Sequence, residues 1–374
     1  MLVAVLALSS KGYASDPGTT GANFLELGIG PRAIAMGDAQ VGLADDVYAT
    51  YWNPAGLSQL KGQELGLVDT QYLQGISEQF VGYALPTRQS GTFGLSFTYL
   101  GVGSFQGYDA TGTPTSGINA SDLAGGLSYS HYLYSDPRTG AGLSAGVTGK
   151  WIQEKLDTVS ASAYAADFGL FFTPGLLWGE KLDGLKTGFA LRNVGSALTF
   201  DQESFGLPRV LTEGASYTGH LWNESITTAF DARQPNDGPQ SIGIGLEILT
   251  LQSFVLRAGY TSEGDLGNGL RLGAGLRFKT IQIDYAYGNE GDFGNTQRIG
   301  LTLRFGPQQQ NRLSDAQQCY DKGLGDYKNK RYSQALVEFN KALEIDPTHP
   351  QALEMMKKTY EAIKQQNTNL LSAD

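Results

Sequence analysis

Apolar and polar residues alternate one by one through most of the chain. Phe93, Leu95, Phe97 and Tyr99 interleave with Thr92, Gly94, Ser96 and Thr98. Leu270, Leu272, Ala274, Leu276 and Phe278 interleave with Arg271, Gly273, Gly275 and Arg277, and Ile299, Leu301, Leu303 and Phe305 with Arg298, Gly300, Thr302 and Arg304. A period of two places each set on one face of a β-strand. One face is uniformly apolar. The other carries Gly, Ser, Thr and isolated charges such as Lys150, Glu247, Asp284 and Arg304. The pattern predicts fourteen antiparallel strands, near 62–73, 76–86, 91–102, 121–133, 140–154, 158–173, 184–194, 207–219, 223–233, 239–250, 253–262, 268–278, 280–289 and 296–306. At about 17 residues per strand and connection, the region fits membrane strands of ~9–11 residues plus turns.

A soluble sandwich also alternates, with its apolar face inward. A membrane barrel turns that face to lipid and the polar face to a lumen. Tyr and Phe recur near the strand ends, as an aromatic girdle needs, and the Gly-rich polar face leaves room inside. Composition points the same way. Charged residues make up 17 % of the 374 residues, against ~25 % in soluble domains, and Gly is 50 residues, nearly twice the usual ~7 %. The longest purely apolar run, Met1–Leu8, is far short of the ~20 residues of a membrane helix. The expected fold is an all-β transmembrane barrel in contact with outer-membrane lipid.

The net charge of −10 argues against a nucleic-acid partner. Residues 307–374 hold as many basic as acidic residues, so the negative charge lies in 1–306. The single Cys319 excludes an internal disulfide, a Cys-based zinc site and an iron–sulfur cluster. His131, His220 and His349 lie far apart, so no metal site and no cofactor is expected.

An even strand count puts both barrel ends on one side. Tyr134–Thr139, Leu251–Gln252 and Lys279–Thr280 are short connections on that side. Gly103–Ala120, Ser196–Gly206, Pro235–Gly238, Glu263–Gly267 and Glu290–Asn295 are longer or acidic and fall on the other. Outer-membrane barrels keep short turns in the periplasm, which places the N-terminal segment and the C-terminal tail there. Phe305, at the end of the last strand, resembles the C-terminal aromatic signal of such barrels. Residues 1–14, with apolar Leu2–Leu8 and small residues in Gly12-Tyr13-Ala14, resemble a truncated signal peptide.

Residues 15–61 lack sustained alternation. Trp52-Asn53-Pro54-Ala55-Gly56 is a turn signal, and Ala33–Ala44 is rich in small residues suited to a lumen. Arg32-Ala33-Ile34-Ala35-Met36-Gly37, then Ala44-Asp45-Asp46, then Trp52-Asn53-Pro54-Ala55-Gly56-Leu57 resembles the opening of the PorV/PorQ branch of the FadL-like outer-membrane barrel superfamily. The likeness implies a fourteen-stranded barrel in the outer membrane of a Gram-negative-type bacterium. It also implies that Arg32, Met36, Gly37 and Trp52–Gly56 belong to a hatch closing the lumen from the periplasmic side.

After a linker at 307–313 the period becomes 3.6. Ala316, Tyr320, Gly323 and Tyr327 form one stripe, and Tyr332, Ala335, Leu336, Phe339, Ala342 and Leu343 a second. A third helix begins near Pro350 with Leu353, Met356, Tyr360 and Ile363. Gly323, Tyr332, Ala335, Phe339, Ala342 and Pro347 fall at the spacing of a tetratricopeptide repeat. Cys319, Lys322 and Asp326 depart from that pattern. Residues 314–366 would thus be repeat-like helices able to hold a protein partner, followed by a tail at 367–374.

Catalysis is not expected. Gly142-Leu143-Ser144-Ala145-Gly146 matches a nucleophile elbow, but that motif needs a strand–turn–helix setting, and here it lies inside one strand. His131 shares the lipid-facing parity of Leu127 and Tyr129, which removes it as a base for Ser144. Asp265, Glu290 and Asp292 read as solvated loop charges. Two functions remain open: a conduit that passes a hydrophobic small molecule through a hatch-plugged lumen, or a PorV-like accessory of protein secretion or outer-membrane assembly that holds secreted cargo or a periplasmic partner.

Overall fold

The computed structural model describes residues 18–87, 90–136, 141–175, 182, 184–222, 224–262, 267–289, 294–306, 312–345 and 349–371. The segment read as a signal peptide and residues 307–311 of the 307–313 linker, together with Pro347, Asp265, Glu290 and Asp292, lie outside them. Two compact units result, one ending at Pro307 and one holding the C-terminal helices.

Fourteen strands close into a barrel. They are β1 (Gln63–Gln71), β2 (Ser77–Pro86), β3 (Thr92–Tyr108), β4 (Pro114–Asp136), β5 (Ala141–Leu156), β6 (Val159–Thr173), β7 (Leu185–Gly195), β10 (Val210–Leu221), β11 (Glu224–Pro235), β12 (Ser241–Thr250), β13 (Phe254–Thr261), β14 (Leu270–Arg277), β15 (Ile281–Asn289) and β16 (Asn295–Phe305). A short hairpin, β8 (Leu198–Phe200) with β9 (Glu203–Phe205), stands outside the ring. Each barrel strand neighbours the one before it, and β16 pairs antiparallel with β1, Phe305 opposite Gln63. Closure leaves no unpaired edge, which is what a sheet in hydrocarbon requires. The predicted strands match within a few residues, with one exception. Gly103–Ala120, expected as a loop, is the tip of a long β3–β4 hairpin that turns at 109–113. Its register shifts between Val102 and Phe105, and that irregularity disguised the period of two.

The alternation faces as predicted. On β4, Leu127 is 70 % exposed while Ser128 is 4 % exposed. Phe93, Tyr129, Trp222, Phe254, Phe278 and Phe305 are exposed around the rim where β1 begins and β16 ends, here called the closing rim; Tyr164 and Tyr260 stand toward the far rim. In water such an apolar exterior would be an aggregation surface; around a membrane barrel it is the lipid face. Among the described residues no helix is long and apolar enough to cross a membrane.

The C-terminal unit contains α3 (Arg312–Lys328), α4 (Tyr332–Ile345) and α5 (Pro350–Leu371). Phe339 fills the α3–α4 seam, with ring centroids 5.7 Å from Tyr320. A Cβ on Gly323 would come within 2.8 Å of the Phe339 ring, so the seam needs glycine there. Ala316, Ala335 and Ala342 are fully buried, and Tyr332 stacks edge-on to Tyr327. Lys322 and Lys341 both bind Glu338 at 3.0 Å. On α5 the buried positions are Ala352 and Thr359, whereas Leu353 and Tyr360, expected in the packed stripe, are 38 % and 67 % exposed.

Candidate functional site

Most of residues 22–60 is buried within the ring of strands and forms the core of the barrel unit. Their elements are short: a 3-10 turn at Asn23–Glu26, α1 (Pro31–Ala35), α2 (Ala49–Trp52) and a 3-10 turn at Pro54–Gln59. Chains this short do not hold helices by themselves; the barrel wall positions them.

Three polar latches do so. The first centres on Arg32, which is 6 % exposed. Its guanidinium donates to Glu247 on β12 through Nε at 2.9 Å and Nη2 at 3.0 Å. It also reaches Asp45 at 2.5 Å and Asp46 at 3.3 Å. Glu247 in turn accepts from Arg257 Nε at 2.6 Å, and Arg257 Nη1 reaches Asp284 at 2.6 Å. Gln282 joins Asp284 to Arg277 and Arg304, and Arg304 Nε donates to Glu64 at 2.9 Å. Lys186 stands 3.8 Å from Asp45. Buried charges are tolerable only when matched in this way.

The second latch is Asp231 on β11, which accepts the backbone N–H groups of Gln40 and Val41 at 2.8 Å each. The third is Asn53, fully buried. Its Nδ2 donates to the Val41 and Leu170 carbonyls at 3.1 Å, and its Oδ1 accepts from Ala55 N at 3.2 Å. The Ala55 carbonyl accepts from both Ser130 and Ser144 hydroxyls at 2.9 Å. Ser144 is therefore a latch donor near the start of β5, within the strand and with no helix after it, and His131 faces outward and stacks on Tyr129.

Glycines on the lumen face let the segment lie against the wall. A Cβ on Gly146 would be 2.4 Å from Ala55 N, and one on Gly169 2.1 Å from Asn53 Oδ1. Met36 and Gly37 press on Gly243, Gly245 and Gly259 of β12 and β13. Gly37 has φ +67°, and a side chain there would meet Tyr260 O at 2.4 Å. Gly56 touches the Ala44 carbonyl, and Pro54 sits over Gly146. Trp52 donates through Nε1 to Ile29 O at 2.8 Å. The guanidinium of Arg192 lies 4.6 Å from the Tyr51 ring centre and 5.4 Å from that of Trp52, within cation–π range. Every residue of the sequence motif thus touches the wall or braces the segment. Asp231, Glu247, Arg257 and the glycines opposite were not singled out as a site; their signal was an isolated charge or glycine on a polar strand face.

The sequence puts this segment on the side of the β1 start. The structure differs. Val47 N donates to Glu64 at the closing rim, but Gly21 N donates to Gly206 O, Ala22 N to Glu154, and Thr20 binds Asp237, all at the far rim. The segment runs the length of the lumen.

At the far rim, residues 20–27, the lumen faces of β3–β5 and the β8–β9 hairpin line an open cavity of about 500 Å³. In the helical unit a groove of about 770 Å³ opens between α4 and α5 over Leu336, Val337, Met356 and Tyr360.

No protein-family model matches the chain, and no curated protein matches it by sequence. Solved structures do match. The toluene transporter TodX of Pseudomonas putida aligns with TM-score 0.51 and 13 % identity over 74 % of this chain and 99 % of that one. The CymD monoaromatic hydrocarbon channel aligns with TM-score 0.50 and 13 % identity over 74 % and 98 %. The chain shares their barrel fold. At this identity the likeness speaks for architecture, and the function must be argued from the lumen.

Proposed function

We propose that the chain is a conduit in the outer membrane of a Gram-negative-type bacterium, admitting a hydrophobic small molecule through a lumen that residues 15–61 close as a hatch. One observation carries this reading: the segment inside the apolar-sided barrel is fixed by polar latches and bare glycine contacts. Apolar side chains also pack across the boundary, with Tyr48 5.7 Å from Phe80 of β2 and Trp52 and Leu57 in one buried cluster with Val68 and Phe171, but the directional contacts that fix the segment's position are polar. Here the wall offers carboxylates, hydroxyls and flat glycine surface, which water can solvate when the segment shifts. Movement around Asn53–Gly56 would uncover β5–β7. The far-rim cavity is where a molecule arriving from outside would first lodge, if the short turns of the closing rim face the periplasm. The fold shared with hydrocarbon channels agrees with this.

A second reading has its own support. The open groove between α4 and α5 and the repeat-like spacing of Gly323, Tyr332, Ala335, Phe339 and Ala342 suit a tetratricopeptide-type segment that holds a protein. Together with the PorV/PorQ-like opening of the sequence, they favour an accessory of protein secretion or outer-membrane assembly. Native mass spectrometry of protein extracted gently from its own membrane separates the two. A lone barrel with a small hydrophobic adduct supports the conduit. A stoichiometric protein partner, lost on removal of 312–374, supports the accessory.

A further inference from the structure

The far-rim cavity differs from the rest of the lumen in its charge. Elsewhere the carboxylates of the lumen face meet donors: Glu64 meets Arg304, Asp167 meets Lys150, Asp231 meets two backbone N–H groups, and Glu247 and Asp284 share Arg257. Asp122 on β4 and Glu154 on β5 are the exception. Both line the cavity. Among the described residues Asp122 has no hydrogen-bond or ion-pair partner, and Glu154 has the Ala22 N–H alone, at 3.0 Å. The walls beside them are apolar and aromatic, formed by Phe24, Leu100, Phe200 and Phe205. About 500 Å³ is ample for a small organic molecule.

An apolar pocket that holds two carboxylates with no cation between them is complementary to a ligand that brings one. We infer that this cavity receives a compound with an apolar or aromatic body and a cationic, ammonium-type head, which Asp122 and Glu154 hold while the body lies on Phe24, Phe200 and Phe205. Carboxylated compounds such as fatty acids are repelled from the same place. The inference rests on the conduit reading and specifies its substrate class.

The test uses three probes of one shape: 4-phenylbutylamine, 4-phenylbutanol and 4-phenylbutanoate, titrated calorimetrically at pH 7 into the purified full-length protein. The amine should bind at least about tenfold more tightly than the carboxylate, with the alcohol between them. Asp122→Asn with Glu154→Gln should abolish that order and bring the amine to the affinity of the alcohol. Asp122→Glu, which keeps the charge, should preserve the order and guard against a variant that misfolds. Equal or tighter binding of the carboxylate, an unchanged preference in the double variant, or no binding of any probe overturns the inference. If the alcohol binds as well as the amine and still enters intact cells faster when the chain is present, charge selection falls while the conduit stands.

Discussion

Asn53 shows how much one side chain can fix. It is fully buried and makes three hydrogen bonds, tying the turn to Val41 within the segment and to Leu170 in the wall. Asn53→Ala takes the side-chain partner from the Val41 carbonyl and the Ala55 N–H and removes the tie to Leu170 in the wall. A buried unsatisfied group costs ~1–3 kcal/mol, so a loss of about 2–4 kcal/mol is expected. Hydrogen exchange should rise across 40–57 while the strands stay protected. Gly169→Ala should give the same exchange pattern from the opposite side, because its new methyl would occupy the place of Asn53 Oδ1. At this scale the sequence was half legible. Asn-Pro announces a turn from its own chemistry, and Ser144 could be placed in a strand. That Gly146 and Gly169 face this turn could not be read, because they lie about a hundred residues away and meet it only when the sheet closes.

Among elements, α1 hangs on a charged network that crosses six strands, β12 to β16 and β1. Glu247 is its hub, touching Arg32 and Arg257. Glu247→Gln removes the charge shared by two buried guanidinium groups and leaves Arg32 to Asp45 and Asp46 and Arg257 to Asp284 alone; removing one partner of a buried pair outright costs ~3–5 kcal/mol, and a smaller loss is expected here. Exchange should therefore quicken over 31–46, and the unfolding midpoint in denaturant should fall. The helical unit offers a pH test. Hydrogen bonds from Lys341 and then Lys322 hold the Glu338 carboxyl below its ordinary value. A depressed carboxylate stabilises the fold above its unfolded pKa of about 4.3 and loses that contribution as pH falls through the folded value. Protection factors in α3 and α4 should accordingly drop between pH 6 and pH 3, and Glu338→Gln should remove most of that dependence. Period two was legible for the strands because one face meets lipid. The β3–β4 hairpin was not, since beyond the membrane no solvent contrast enforces alternation. On α5 the stripe Leu353–Tyr360 was legible as amphipathic, yet which face it would bury was not, because that depends on a neighbour.

For the whole molecule, the wall and the segment within it obey different chemistry. The wall is closed by backbone pairing and faced with aliphatic and aromatic side chains. The segment inside is positioned by ion pairs, hydroxyls and glycine contacts, and it shares a buried apolar cluster with the wall, Tyr48, Trp52 and Leu57 with Val68, Phe80 and Phe171. On the conduit reading proposed above, the latches are the place to perturb transport. Glu247→Gln and Asn53→Ala should raise leak of small polar solutes through the barrel, seen as faster swelling of proteoliposomes in sugar solutions.

The most direct test is uptake of a labelled uncharged hydrophobic compound, 4-phenylbutanol, by intact cells whose lipopolysaccharide layer blocks its free diffusion. Cells carrying the chain should take it up several-fold faster than cells lacking it, and Glu247→Gln should alter that rate. Equal initial rates with and without the chain would contradict the conduit.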